Sequence, residues 1–413
     1  MIGMSDKVLR HDKHCRLCGG ARITTVFRLN DTPLEDQFLV TDTIAQPVYP
    51  LELAICEDCG YLHLPHIVSP EASYADYVYV SGVTVGLRGH YDQYAKDIVT
   101  DFKIAEGSLV VDLGSNDGSM LSSFKRLGMN VVGVEPAGSI AALANWEGLT
   151  TINDFFTEDV ARKIAQEYGA PGVVTANYMY ANIDDVTGFT RSVAELLASD
   201  GIFVVQTGYH PEQMKIKMFD YIYHEHFSYF TVEVLKKLFE SCGLELIDAQ
   251  KTAPKGGSVR IVAQRIGGGR KVAESVGKLI AEEREQGMHL AETYRKFALE
   301  IAESKNQLVT LLAELKAQGK RIAGFGASHS TTTLIYHFEL APYLDYLVDD
   351  NTLKHGKFSP GYHLPVFSAE KLQSDLPDYV LVLGWQHQGS ITARHKLAGN
   401  GRWIIPLPEL KIV

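Results

Sequence analysis

Apolar and polar positions divide the chain into stretches of different rhythm. From Tyr77 to about Arg265, short apolar runs alternate with helix-length amphipathic segments. The clearest runs are Leu109–Leu113, Asn130–Val134, Val173–Ala176 and Ile202–Gln206. This alternation predicts βαβ units around a parallel sheet. Ile266-Gly267-Gly268-Gly269-Arg270 reads as a joint. Lys271 to about Gly319 reads as helix, interrupted near Gly287, with the charge pattern of a solvated helix pair. A second βαβ rhythm follows, beginning with Arg321–Phe325, Tyr343–Val348 and Tyr379–Leu383. The first 70 residues hold several short β-like runs. The expected fold class is α/β, with a small N-terminal domain over residues 1–76, a sheet domain over 77–266 and a second sheet domain over 267–413.

Composition narrows the function classes. Hydrophobic residues make up 46% and charged residues 22%, as in ordinary globular proteins. The net charge of −11 makes a general binder of nucleic acid or anionic membrane a poor reading. No run of about 18 apolar residues is present to cross a membrane. Met1–His14 is polar and lacks the apolar stretch of a secretory signal, so a cytoplasmic protein is expected, a monomer or weak homo-oligomer. Thiols stay reduced there, and paired cysteines then suggest metal.

Four of the five cysteines form two such pairs, Cys15 with Cys18 and Cys56 with Cys59, each followed directly by glycine. Two C-x-x-C turns can supply the four thiolates of a tetrahedral, closed Zn2+ site, which is structural rather than catalytic. Cys242 reads as a buried core thiol.

The run Leu109-Val110-Val111-Asp112-Leu113-Gly114-Ser115-Asn116-Asp117-Gly118 is an apolar strand entering a glycine turn. Glu135 closes the next strand, 21 residues after Gly114, about where an acid grips ribose hydroxyls. Spacing alone allows NAD or S-adenosyl-L-methionine. The full G-x-G-x-x-G is absent, which counts against a dinucleotide and favours S-adenosyl-L-methionine. Candidate cofactor contacts are Asp112, Gly114, Ser115, Asn116, Asp117, Glu135, Pro136, Asn153 and Asn177.

Phe219–Phe230 gathers Tyr221, Tyr223, His224, Glu225, His226 and Tyr229. A histidine beside a carboxylate can be tuned for proton transfer, and tyrosines can donate to a developing oxyanion. A metal pair and plain aromatic packing are the alternatives. Asp76–Gly82 is a second tyrosine cluster, with Tyr77 and Tyr79. A further glycine turn, Gly324-Phe325-Gly326-Ala327-Ser328-His329-Ser330-Thr331, opens a hydroxyl-rich helix suited to phosphate, with Lys354 and Lys357 as added charge. Its alternatives are a sheet that only packs and a nicotinamide site, the latter lacking a third glycine.

Together these motifs resemble the sugar C-methyltransferase family of deoxysugar biosynthesis. The resemblance rests on the cysteine pairs, Ser115–Gly118, Gly133–Ala137, Tyr223–Phe230, Gly256–Arg260, Gly324–Ser328 and Gly361–Val366. It implies a zinc-binding N-terminal domain, a central Rossmann-like methyltransferase domain and a C-terminal Rossmann-like domain that helps hold a nucleotide-diphosphate sugar. It implies His226 as the base, alone or with Glu225, and Tyr77 and Tyr223 in the sugar pocket. Tyr79, His224, Lys255, Ser328, His329, Ser330 and Lys354 are the expected substrate contacts. Two positions depart from the family pattern. Asn182 stands where a histidine is expected, and Asn cannot carry a proton at neutral pH. Gln206 stands near an expected glutamate. The expected chemistry is removal of the proton beside a sugar ketone and methylation of that carbon. An O- or N-methyltransferase, a nicotinamide oxidoreductase and a non-enzymatic zinc scaffold are the alternatives.

Overall fold

The computed structural model describes residues 8–69 and 86–413. Its central sheet has seven strands. Their order is Thr151–Ile152, Asn130–Val134, Leu109–Leu113, Val173–Asn177, Ile202–Gly208, Ser258–Arg265 and Leu244–Thr252. The first five run parallel, and Ser258–Arg265 is antiparallel to both of its neighbours. Val110, Val111, Val173, Val174, Val204 and Val205 are fully buried, so these strands are apolar on both faces, as a sheet covered by helices requires. Their carboxyl ends share one edge, where ligands of such sheets bind.

The covering helices are bounded by local signals. Thr157 caps Glu158–Glu167 through Val160 N–H, with Glu158 and Asp159 in the first turn. Thr231 caps Val232–Ser241 in the same way. That second helix has a further cap from far along the chain. Buried Glu283 accepts the N–H groups of Val232 at 2.6 Å and Glu233 at 3.0 Å, and the Tyr209 hydroxyl at 2.6 Å. Glu283 lies on helix Glu274–Glu285, which therefore packs on the central unit. The helical stretch breaks at Gly287 (φ 69) and resumes as Ala291–Ala317.

The N-terminal region builds a four-stranded sheet from Ile23–Arg28, Glu52–Cys56 and Leu62–His63, with Ser228–Tyr229 as its fourth strand. A segment of the central unit thus completes the N-terminal sheet. Ala291–Ala317 packs on this sheet, with Phe27 and Phe297 edge to face at 6.0 Å. The C-terminal sheet runs Val366–Phe367, Leu347–Val348, Ile322–Phe325, Tyr379–Val382, Arg402–Ile405 and Lys411–Ile412, parallel except for the last pair.

Glu283→Ala would leave three donors without their acceptor, two of them buried, at a cost of about 1–3 kcal/mol for each buried one. The substitution is expected to lower the urea-unfolding stability of the central unit by about 3 kcal/mol or more. Unchanged unfolding would show that water replaces the cap.

Candidate active site

The strand Leu109–Leu113 ends at Gly114, whose φ is 66. A Cβ at Gly114 would meet the Met179 side chain at 2.8 Å. Both the left-handed backbone and the close approach therefore require glycine. Over this turn lies a cavity of about 690 Å³ lined by Gly114, Asn116, Glu135, Pro136, Phe155 and Asn177. Glu135 accepts the backbone N–H groups of Asn116 and Ala137, each at 2.9 Å. Each carboxylate oxygen keeps a further lone pair for a hydroxyl donor. Burial raises the Glu135 pKa. The buried Asn177 Oδ1 has no hydrogen-bond partner among the described residues. Phe155 is 42% exposed and offers an apolar surface to a planar group.

The other expected cofactor contacts lie behind the cavity wall. Asp112 accepts from Thr175 Oγ1 at 2.6 Å and from Asn177 Nδ2 at 3.3 Å, and burial pushes its pKa up to about 7. It holds Asn177 in place from beneath. Ser115 is buried. Asp117 accepts the Ser119 N–H at 3.1 Å. Asn153 Nδ2 donates to the carbonyls of Glu135 and Pro136 at 2.9 and 3.0 Å. None of the four lines the cavity.

The cavity's far end reaches Asn182, Tyr223, Glu225, His226, Lys255 and His329. A second cavity, of about 950 Å³, opens between the central and C-terminal units and takes in Arg260, Ser328, Ser330 and Trp385. Tyr223, Lys255 and His329 line both. At this junction His226 lies against the rings of Tyr223 and Tyr221, with centroids 4.0 and 4.5 Å away. Its Nδ1–H donates to the Tyr221 carbonyl at 3.0 Å, which leaves Nε2 as the acceptor. Burial, and then the charges of Lys255 and His329, push its pKa down to about 3. Lys255 and Tyr178 both hold left-handed backbones, with φ 55 and 58. The Lys255 ammonium sits 4.5 Å from the Tyr178 ring centroid.

Three expected relationships differ from the sequence reading. Glu225 does not orient His226; its Oε1 accepts from His329 Nε2 at 3.2 Å. His224 faces neither cavity. It is fully buried, and its N–H and Nδ1–H donate to Glu35 at 3.0 and 2.7 Å. Lys354 donates to Asp36 and to the Ala327 carbonyl, both at 2.6 Å, and lines neither cavity. Tyr77 and Tyr79 lie outside the described residues. Sequence reasoning missed Glu35, Asp36, Phe155 and Tyr178. Only Phe155 carried a signal, as part of an apolar pair that follows the strand Thr151–Ile152 after two polar residues.

The four thiols of Cys15, Cys18, Cys56 and Cys59 lie within 4.8 Å of one another. Cys15 and Cys59 are 3.7 Å apart, and Cys18 and Cys56 are 3.6 Å apart. A tetrahedron with Zn–S bonds of about 2.3 Å has an edge of about 3.8 Å. The donor set and its spacing fit Zn2+. Glycines 19 and 60, with φ 72 and 82, close the two turns.

A Rossmann-like sheet with an antiparallel strand inserted at its edge, a glycine turn and an acid at the next strand end define an S-adenosylmethionine-dependent methyltransferase. The methyltransferase domain family matches residues 87–249, the C-methyltransferase C-terminal domain family residues 253–408, and a zinc binding domain family residues 15–74. C-methyltransferase NovU of Streptomyces niveus is 34% identical over 411 residues, covering 98% of each chain. The chain belongs to this C-methyltransferase family. Among solved structures, magnesium protoporphyrin IX methyltransferase (ChlM) from Synechocystis PCC 6803 with bound S-adenosylmethionine is similar at a TM-score of 0.34 and 16% identity, over 44% of this chain and 80% of that one. The CcbJ methyltransferase from Streptomyces caelestis is similar at 0.35 and 14%, over 47% and 95%.

The purified protein is expected to hold about one Zn2+ per chain by elemental analysis. Cys56→Ser should lose the metal and destabilise the N-terminal sheet; a zinc-free protein that unfolds normally would refute the site. Glu135→Ala should weaken S-adenosylhomocysteine binding by about 10- to 100-fold, since hydrogen bonds to a charged group are worth about 1.5–3 kcal/mol. Calorimetry with NAD in place of S-adenosylhomocysteine should give no binding at this turn.

Proposed function

We propose that the chain methylates a nucleotide-linked keto-deoxysugar at the carbon beside its ketone. The observation that carries this reading is the meeting of two cavities at Tyr223, Lys255 and His329. One cavity lies over the cofactor turn. The other opens beside Ser328 and Ser330, at the N-terminus of helix His329–Phe338, where a diphosphate finds hydroxyl and backbone donors. A sugar spanning the junction would present its reacting carbon to the first cavity while its nucleotide stayed in the second.

Bound in the first cavity, S-adenosylmethionine supplies an electrophilic methyl group. The chain's own work is to make the acceptor carbon nucleophilic. In this reading His226 Nε2 accepts the proton next to the ketone. The hydrogen bond from Nδ1 to the Tyr221 carbonyl fixes that tautomer and helps stabilise the imidazolium that forms. The Lys255 ammonium and the Tyr223 hydroxyl stabilise the enolate oxygen. His226 is neutral well below pH 7 in the free protein, so it is ready to accept. A diphosphate near Lys255 offsets one of the charges that depress its proton affinity, and so strengthens the base when substrate is present. Asn182, at the first cavity, serves as a hydrogen-bonding group for the sugar.

In deuterated water the substrate should exchange its α-proton before methylation, and His226→Asn should slow exchange about 10²- to 10⁴-fold. Asn182→Ala should raise KM more than it lowers kcat. Because His226 is already neutral, kcat/KM should stay level through about pH 6.5, where an ordinary histidine base would be half-protonated. Methyl found on oxygen, with no carbon exchange, would discard the reading. An Asn182→Ala enzyme more damaged in exchange than His226→Asn would move the base away from His226.

A further inference from the structure

Glu225 and His329 belong to a row of alternating charges drawn from all three parts of the chain. Glu225 comes from the segment that completes the N-terminal sheet, and Asp36 from the N-terminal region itself. His329 and Lys354 come from the C-terminal unit. His329 Nε2–H donates to Glu225 Oε1 at 3.2 Å. Its Nδ1 faces Asp36 Oδ1 at 3.9 Å. Asp36 accepts from Lys354 Nζ at 2.6 Å. Side-chain exposures along the row are 11% for Glu225, 19% for His329, 17% for Asp36 and 10% for Lys354. The His329 ring also lies 5.5 Å from the Tyr223 ring, whose own neighbour at 4.0 Å is His226.

This arrangement argues against a phosphate-binding role for His329. One ring N–H is committed to Glu225 and the other side of the ring faces a second carboxylate. A diphosphate would have to displace two anions to use it. The flanking carboxylates instead hold the ring in one orientation, and the ring in turn holds Glu225. Asp36 and Glu225 push the His329 pKa up to about 9 against the opposing effects of burial and of Lys354, so it is a cation at neutral pH.

We propose that His329 is a positioning residue for the reaction: it fixes the Glu225 carboxylate and the Tyr223 ring beside His226, so that Glu225 accepts a hydrogen bond from a substrate hydroxyl in the first cavity. The C-terminal unit thereby takes part in the chemistry as well as in holding the nucleotide. This rests on the keto-sugar reading for the identity of the hydroxyl, but the ion-pair geometry stands without it. The groups that face His329 are Glu225, Asp36, Lys354, Tyr223 and His226; Lys255 lines the same two cavities and acts on His226, and Lys357 acts through Asp36.

The test pairs kinetics with a readout that needs no substrate. In full-length zinc-loaded enzyme, His329→Gln should lower kcat about 10- to 100-fold while KM for the nucleotide sugar changes less than about threefold. A KM raised tenfold or more at unchanged kcat would make His329 a phosphate ligand and overturn the proposal. In wild type, kcat should fall on the alkaline side as His329 loses its proton near pH 9, and Asp36→Asn should move that limb downward. A limb that does not move overturns the link. Should His329→Gln fail to fold, imidazole NMR of the wild-type protein decides. His329 should stay protonated to about pH 9, and Glu225→Gln should lower its titration midpoint. Titration near the ordinary value of about 6.5, or no response to Glu225→Gln, overturns the proposal whatever the substrate proves to be. Loss of wild-type turnover on keto-sugars with the NMR response intact would instead count against the substrate reading alone.

Discussion

The buried pair of Glu35 and His224 governs where the segment Phe219–Phe230 lies. Their side chains are 1% and 0% exposed. Removing such a pair from water is expensive, and the hydrogen bonds gathered on one carboxylate oxygen offset part of that cost. Glu35 Oε1 accepts both the backbone N–H and the ring Nδ1–H of His224, while Nε2–H donates toward the Pro50 carbonyl at 3.3 Å. Two donors on one residue fix position and orientation together. The Glu35 carbonyl also accepts from Thr332 Oγ1 at 2.9 Å, which attaches the C-terminal helix to the same point. On either side, Thr333 Oγ1 donates to the Ile222 carbonyl, and Ser228–Tyr229 pairs with Leu62–His63. Tyr223 and His226 therefore hold places that three parts of the chain agree on.

The same dependence gives the four-thiolate site of the N-terminal region a structural purpose. The N-terminal sheet is small, and one of its four strands is Ser228–Tyr229. A sheet that drifted would carry the neighbouring Tyr223 and His226 with it. Tying Glu52–Cys56 and the turn after it through four thiolates keeps the sheet rigid where its own core is thin. The long helix Ala291–Ala317 covers its other side with Tyr294, Phe297 and Ile301.

What the sequence made legible follows from distance along the chain. The cysteine pairs and the turn at Gly114 are local devices, so their spacing carries their meaning. Glu35 and His224 are 189 residues apart, and Asp36 and Lys354 are 318 apart; no short motif records such pairs. Glu225 and His226 misled for the opposite reason. They are adjacent, yet they sit at a turn, where neighbouring side chains diverge to different partners. Gln206 was visible as a departure but its effect was not. It is fully buried, and its Nε2 donates to Tyr178 Oη at 2.8 Å and to His90 Nε2 at 2.7 Å. That second bond needs a neutral His90, and burial lowers the His90 pKa accordingly.

The wall between the two cavities is consequently stiff. Tyr178 and Lys255 each adopt a left-handed backbone that costs a non-glycine residue about 1–2 kcal/mol. Such strain persists where the surroundings over-determine it. Here the Tyr178 N–H donates to the Gln206 carbonyl at 2.8 Å, and the Gln206 side chain holds its hydroxyl. The Lys255 carbonyl accepts from Gln213 Nε2 at 3.4 Å, and its ammonium rests on the Tyr178 ring. Lys255 itself lines both cavities. From the same junction, burial and then the charges of Lys255 and His329 depress the His226 pKa.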